Sequence, residues 1–447
     1  MNVMPDGPAA ESDDYLIGKP QAWFAFAMTF ALMMFDYIDR QVIVSLFPHI
    51  KEEWGLSDKH LGSLVSIISI VIGLGGIPVA LLADRISRVK SIAIMATIWS
   101  LATIACMFTH NFGQLFAARA TVGAGETGYG SVGSALISTL FPKRLRSTVL
   151  GAFFAAGSLG SVLGVMLGGM IAAHWGWRAA FGVVGIPGLM LALLYLFVRD
   201  YKTVELTPRQ DHVARSLTRT VKHIFNSLTH TPTLLWACFA GAMQLVTMST
   251  IMAWLPSFLN RFHGLNPADA GKQTALVILV SAVGVITSGI VVDRLARRTP
   301  RYKLLLLATL CIFTAVIFIV AFGGPYTGST QFKLILLGGF FMNSIIGVIV
   351  GVVMDVIHPG IRSTGAAVLA AILNLFGLAV GPFLTGVLSD QFGLQHALAI
   401  VPLFSVGAAV LFLIAMRSYD ADVARIADVK LDVAPSITGH LSTSSAA

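Results

Sequence analysis

The sequence is poor in charge and in cysteine, and its apolar runs show no strand-like alternation. Only 12% of its 447 residues are Asp, Glu, Lys or Arg, about half of what soluble domains carry. With 56% hydrophobic residues and a mean hydropathy of +0.80, an ordinary soluble chain is excluded. The lack of period-two alternation argues against a membrane barrel and for a helical bundle. Cys106, Cys238 and Cys311 are the only cysteines, widely separated within apolar stretches. They offer neither a disulfide framework nor a metal spacing and are expected to be packing residues. All eleven histidines fall in loops, tails or helix ends, so none competes as a proton carrier at membrane depth. The first twenty residues hold Asp6, Glu11, Asp13, Asp14 and one Lys, without the basic start of a cleaved signal peptide. The first apolar stretch is therefore expected to remain as a span.

What is present is a series of long apolar runs. A bilayer core of ~30 Å needs ~20 apolar residues per helix. Twelve stretches qualify, near 21–46, 60–83, 91–109, 112–140, 147–173, 178–198, 233–259, 270–292, 303–322, 333–356, 363–388 and 395–416. This gives an all-α membrane protein of twelve transmembrane helices in two six-helix bundles, 21–198 and 233–416. A tail over 1–20, a linker over 199–232 and a tail over 417–447 complete the chain. Of the 30 Lys and Arg, Arg40 and Arg119 lie inside spans. Lys51, Lys59, Arg178, Arg261, Lys272 and Lys333 fall in one set of loops, and the rest in the other set and the tails. That bias places both termini in the cytoplasm, with the chain a multi-pass protein of the cell membrane. The basicity orients the protein, and no nucleic-acid partner is expected. The linker is basic, with apolar Val213, Leu217, Ile224 and Leu228 spaced as on an amphipathic helix lying on the membrane face.

The second half repeats the first. Gly75, Asp84, Arg85 and Arg88 recur as Gly284, Asp293, Arg294 and Arg297, 209 residues on. Arg146, Ser147 and Thr148 recur as Arg362, Ser363 and Thr364 at 216, and Gly169 and Gly176 as Gly386 and Gly393 at 217. Parallel repeats of this kind form transporters whose substrate site lies between the halves near the midplane. Asp84, Arg85 and Arg88 with Asp293, Arg294 and Arg297 are expected to form a paired cytoplasmic gate, each Asp placed to accept from Arg and to face a helix end of the other half.

Charge inside the spans is confined to the first half. Asp36, Asp39 and Arg40 lie in one stretch, Arg119 and Glu126 in another, and no second-half stretch holds a charge away from its ends. Such residues mark functional sites by default. Arg119 and Glu126, seven residues apart, share a helix face about 10 Å apart along the axis. Pairing Asp39 with Arg119, and Asp36 with Arg40 one turn away, leaves Glu126 as the excess carboxylate. Desolvation favours the neutral form of such a group, so Glu126 is the expected protonation switch, with Asp39 as the second coupling carboxylate.

The loop from Ala80 through Asp84, Arg85, Ser87 and Arg88, and its copy from Gly289 through Asp293, Arg294, Ala296 and Arg297, resemble the major facilitator superfamily. The family signature there is Gly-x-x-x-Asp-Arg-x-Gly-Arg-Arg; Ala80, Ser87 and Ala296 stand where it has glycine. The Trp175–Phe181 turn is similar to the same superfamily. Gly160, Gly164 and Gly168 read as a close-packing stripe, and the Gly-Pro pair of exchanger-type fifth helices is missing there. Within the superfamily, Phe35-Asp36-Tyr37-Ile38-Asp39-Arg40 and Val122-Gly123-Ala124-Gly125-Glu126-Thr127-Gly128-Tyr129 look like spinster-type transporters. The resemblance implies proton-coupled movement of sphingolipids or lysophospholipids and maps the family's polar network to Asp39, Arg40, Arg119 and Glu126. A Tyr-x-Asp-Arg element also occurs in symporters of sugar acids, so a small organic anion remains the alternative substrate. For an amphipathic lipid, Arg40 or Arg119 would take the head, with Asp36, Tyr37 and Tyr129 beside them. Gln244, Trp254, Asn343 and Asn374 would line the chain's side, at ~0.8 kcal/mol per buried methylene. No nucleophile–base pair, metal cluster or cofactor loop points to an enzyme. No cofactor beyond the proton as coupling ion is expected, membrane lipids are the expected surroundings, and the chain is expected to act as a monomer.

Overall fold

The computed structural model describes residues 15–200, 231–296, 299–357 and 362–428, and nearly all of them are helical. The first half contains α1 (Lys19–Trp54), α2 (Asp58–Ile86), α3 (Arg88–Cys106), α4 (Phe112–Glu126), α5 (Tyr129–Leu140), α6 (Lys143–Trp175) and α7 (Trp177–Leu194). The second contains α8 (Pro232–His263), α9 (Pro267–Ala296), α10 (Tyr302–Gly323), α11 (Gly328–Met342), α12 (Ile346–Asp355), α13 (Arg362–Leu373), α14 (Val380–Phe392), α15 (Leu394–Ile400) and α16 (Leu403–Asp428). Among the described residues, eleven helical segments are long and apolar enough to cross a membrane. The twelfth crossing is the pair α4–α5, each too short alone. α16 carries the last crossing on to Asp428, into the region read from sequence as tail. The amphipathic linker lies almost wholly outside the described residues.

The break between α4 and α5 has a local cause. Thr127 turns its backbone to ψ 121° and its hydroxyl back onto Gly123 O at 2.6 Å, and Gly128 adopts φ +83°, where the absence of Cβ removes the steric cost. The second half breaks at the matching place. The 216-residue shift that relates Arg146 to Arg362 carries Glu126 onto Met342, the last residue of α11, before a turn that restarts at Ile346. Both halves thus contain a discontinuous crossing at mid-depth. A wider π-helical turn at Asn374–Leu378 joins α13 to α14 in the eleventh crossing.

The repeat also holds in the packing. Gly160, Gly164 and Gly168 of α6 let its backbone approach α1: a Cβ at Gly164 would stand 2.6 Å from Ile38 O, and one at Gly168 2.7 Å from Val42 O. The sequence reading of this stripe as a close-approach face agrees with those contacts. Gly377 and Gly381, 217 residues on from Gly160 and Gly164, press in the same way against Ala242 and Val246 of α8. The register of these contacts equates Asp36 with Gln244, Asp39 with Thr247 and Arg40 with Met248.

On the face away from the termini the two halves are sealed together. Gly169 meets the backbone of Pro267, Gly271 that of Val165, Gly62 that of Pro382 and Gly386 that of Asp58. Phe47 packs against Trp254 at 5.3 Å between ring centres. Over this apolar seam lies an ionic knot centred on the buried Asp58. Lys51 Nζ lies 2.6 Å from its carboxylate, and Arg261 donates two bonds at 2.6 and 2.8 Å. Ser389 is the third partner, its hydroxyl donating at 2.5 Å. Asp390 in turn accepts from the N–H groups of Asp58 and Lys59 at 2.7 and 3.0 Å, capping the start of α2 from the opposite half. Arg261, Ser389 and Asp390 all belong to the second half. Asp58→Asn, which removes the charge at the centre of this knot, should loosen the seal. In a background lacking native cysteines, Ser257→Cys, one turn deeper on α8, should then react about tenfold faster with an impermeant maleimide, as expected for charge-assisted bonds of ~1.5–3 kcal/mol. An unchanged rate would mean that the glycine seam alone holds this face shut.

Candidate functional site

Near the middle of α1, Asp36, Asp39 and Arg40 face α4, and the contacts divide into two clusters. In the first, Arg119 Nη1 donates to Asp39 Oδ1 at 3.2 Å and to Asp39 O at 3.4 Å, while Thr103 of α3 donates to Asp39 Oδ2 at 2.8 Å. Arg119 is wholly buried and Asp39 is 1% exposed. This is a sealed ion pair tying α1, α3 and α4, with a partner on each Asp39 oxygen.

The second cluster is built around Arg40. Its Nε lies 3.1 Å from Asp36 Oδ1 and 3.0 Å from Glu126 Oε2, and its Nη2 donates to Asp36 Oδ2 at 3.3 Å. One guanidinium is shared by two buried carboxylates. The sequence pairing left Glu126 alone; the structure instead sets it at ion-pair distance from Arg40. The share is unequal. The Nε–H is directed at Asp36, and neither Glu126 oxygen receives a directed hydrogen bond. The arginine side chain is 24% exposed, against 3% for Asp36 and none for Glu126, so Arg40 carries the cluster's charge to an accessible surface. Tyr37 lies under it, 5.3 Å from guanidinium carbon to ring centre. Glu126 owes its place to the break after it: it ends α4, where the backbone leaves the helical path.

The remaining candidates fall in different places. Tyr129 is buried within the first half, its hydroxyl donating to Thr29 O at 2.6 Å and its ring against Trp99. That placement withdraws it from the ligand-facing set expected from sequence. Arg119 is wholly buried beside Asp39, with Nη1 donating to it and Nε and Nη2 without a hydrogen-bond partner. Gln244 is buried and donates to Met342 O at 3.1 Å. Trp254 is buried in the seal, its Nε1–H donating to Pro382 O at 3.0 Å. Asn343 is half-buried and donates to Ser281 at 3.0 Å. Asn374 lies in the wide turn beside Gly73 of α2, at the seam between the halves, and donates to Ala370 O at 2.8 Å. Of the expected gate, Arg88 donates to Thr139 at 3.1 Å and Arg294 is exposed. The side chains of Asp84, Arg85, Asp293 and Arg297 lie outside the described residues. The Asp58 knot was missed in sequence. Lys51, Asp58, Arg261 and Asp390 were visible as charges at span ends, but nothing in their spacing says that the two halves meet there.

In the second half the network has a neutral copy. Gln244 takes the place of Asp36 and reaches the backbone of Met342, the counterpart of Glu126; Thr247 takes that of Asp39 and accepts from Ser405 at 2.8 Å. The positions are kept with the charges removed, but the partners differ: Thr247 pairs with Ser405 of α16, whereas Asp39 pairs with Thr103 and Arg119.

Two matched six-crossing halves, one closed face and a buried charge cluster in one half only define a membrane transporter, not an enzyme. Comparison with known proteins agrees. The family model for the Major Facilitator Superfamily matches residues 29–375, and the chain belongs to that family. It is 26% identical to protein spinster homolog 1 of Xenopus laevis, over 88% of this chain and 75% of that protein. It is 24% identical to the hexuronate transporter of Bacillus subtilis (strain 168), over 80% of this chain and 86% of that one. Among solved structures, a bacterial homolog of the human lysosomal transporter spinster, in an inward-facing and unoccupied conformation, superposes with a TM-score of 0.79 at 22% identity. That match covers 91% of this chain and 99% of the other.

The sealed pair is expected to be structural. Arg119→Leu leaves Asp39 buried without a counter-charge and should cost about 3–5 kcal/mol, whereas Arg119→Leu with Asp39→Asn should recover most of that loss. Thermal unfolding in detergent measures both. A double variant no more stable than the single one would show that the pair is not the unit described.

Proposed function

We propose that the protein moves an amphipathic lipid with an anionic or zwitterionic head, of lysophospholipid or sphingosine-1-phosphate type, by alternating access coupled to protons. The observation that carries this reading is the sharing of Arg40 by Asp36 and Glu126 beneath a neutral second half. Three carboxylates against two arginines leave one negative charge in excess, and a buried, uncompensated charge costs several kcal/mol. A proton on Glu126 removes the excess and the competition for Arg40. The guanidinium is then available to a phosphate head through charge-assisted bonds. Asp39, engaged on both oxygens, serves as the anchor of the network rather than as a second proton carrier. The alkyl chain lies toward the uncharged half, where Met248 and Met342 stand in place of Arg40 and Glu126. The termini face the cytoplasm, as the loop charges require, and the Asp58 knot closes the opposite side.

A second reading, symport of a small organic anion, is favoured by one observation: the likeness to the hexuronate transporter extends over most of both chains. Arg40 would then hold the carboxylate of the substrate. The two readings separate in proteoliposomes with an imposed pH gradient, given labelled lysophospholipid, sphingosine-1-phosphate or hexuronate. The lipid reading expects saturable flux of an amphiphile and none of hexuronate; flux of hexuronate alone overturns it. Glu126→Gln should reduce gradient-driven accumulation at least about tenfold while leaving counterflow exchange in place, as expected if a ~1.4 kcal/mol coupling is lost. Wild-type accumulation by this variant removes Glu126 from the coupling step.

A further inference from the structure

Away from the transport pathway, the termini-bearing face holds a preformed basic cavity of about 780 Å3 whose lining includes Tyr15, Leu16, Lys19, Arg144, Arg199 and Asp200. Three separate segments supply its charges. Lys19 begins α1, Arg144 lies in the first turn of α6, and Arg199 follows the last turn of the sixth crossing. Each segment is held in place. Leu16 N–H donates to Leu140 O at 3.3 Å and Tyr15 packs edge-on to Phe141, which fixes the arm before α1. Val198 is buried and its N–H donates to Tyr195 O at 3.0 Å, while the Tyr195 hydroxyl contacts Thr29 at 3.0 Å, which fixes the approach to Arg199. Asp200 turns both carboxylate oxygens to the Ser87 hydroxyl at 2.9 Å. Three cations therefore face one engaged carboxylate. Beside them stand exposed apolar side chains: Leu16 at 54%, Leu196 at 67% and Phe197 at 74%. In a membrane protein such side chains mark the hydrocarbon side. The cavity combines a cationic, open bowl with an apolar rim in adjacent residues.

We propose that this cavity binds the phosphodiester head of an anionic membrane lipid in the leaflet on the termini side, its acyl chains running along Leu16, Leu196 and Phe197. Arginines present planar N–H pairs to phosphate oxygens, and each Lys or Arg near an anionic leaflet adds about fivefold to binding. The apolar rim distinguishes a lipid from a soluble anion of the same head chemistry. The site is separate from the Arg40 cluster, so the proposal stands or falls independently of the transported substrate.

Native mass spectrometry of the purified full chain, with phosphatidylglycerol and phosphatidylcholine of equal acyl length, tests it. The wild type should retain phosphatidylglycerol in preference. Arg144→Gln with Arg199→Gln should weaken that retention about 25-fold, by the per-cation factor above. Arg301→Gln with Arg417→Gln, an equal loss of charge on the same face of the second half, should leave it unchanged. Millimolar inorganic phosphate should not displace the lipid. Equal retention by the cavity variant, equal loss in the control pair, or displacement by inorganic phosphate would each overturn the proposal. Should the glutamine pair not survive purification, a diazirine-bearing phosphatidylglycerol should crosslink the wild type within 15–19 and 195–200; crosslinks confined to other segments would overturn it equally.

Discussion

Arg40 sits between two almost wholly buried carboxylates, and the architecture around it follows from that placement. A single guanidinium 3.1 Å from Asp36 and 3.0 Å from Glu126 cannot satisfy both charges at once. The low polarity of the surroundings makes the shortfall costly. Glu126 reaches this position because α4 stops there, and α4 stops because Thr127 and Gly128 leave the helical path. The Arg119–Asp39–Thr103 cluster lies immediately beside it, and there both Asp39 oxygens are engaged, although Arg119 Nε and Nη2 are buried without a hydrogen-bond partner. Of the two, the first leaves no carboxylate oxygen without a donor, whereas the second leaves both Glu126 oxygens without a directed one.

The second half repeats the positions of the charge cluster without its charges. Gln244 and Thr247 repeat the positions of Asp36 and Asp39 with neutral side chains that still find hydrogen-bond partners. The bundle is therefore built twice on one packing plan, with glycines of α6 and of the wide turn admitting α1 and α8 to close approach. Charge is kept in one copy. At matching positions Arg40 of the first half is answered by Met248 of the second, so the two halves differ in charge while sharing a packing plan.

The far-face seal belongs to the same argument. Glycines 62, 169, 271 and 386 bring backbones from opposite halves together with no side chain between them. Asp58 then gathers Lys51, Arg261 and Ser389 over that seam. Apolar contact at a glycine seam is shape-dependent and is lost when the halves tilt. The ionic knot adds an attraction that can break and re-form at an aqueous surface, where separated charges are solvated rather than stranded.

Crossings, halves and charged residues were legible in the sequence because each leaves a local mark. Twenty apolar residues span a bilayer whatever surrounds them, offsets of 209 to 217 residues record a duplication, and a charge inside an apolar run must be accommodated by protein. Pairing was legible only in part. Asp36–Arg40 and Arg119–Asp39 follow from helical spacing and depth, whereas the approach of Glu126 to Arg40 depends on where α4 breaks. Tyr129 read as a ligand residue from sequence, yet after the turn at Thr127 and Gly128 it lies within the first half, against Thr29 and Trp99. The Asp58 knot joins residues more than 200 positions apart, and no periodicity encodes which face of the two halves is closed. By itself, the sequence determined class, number of crossings and the one-sided placement of charge, since these rest on composition and spacing along one helix. Only the tertiary structure decided which carboxylates share Arg40 and which face is sealed, because both depend on distances between helices that the chain brings together only when packed.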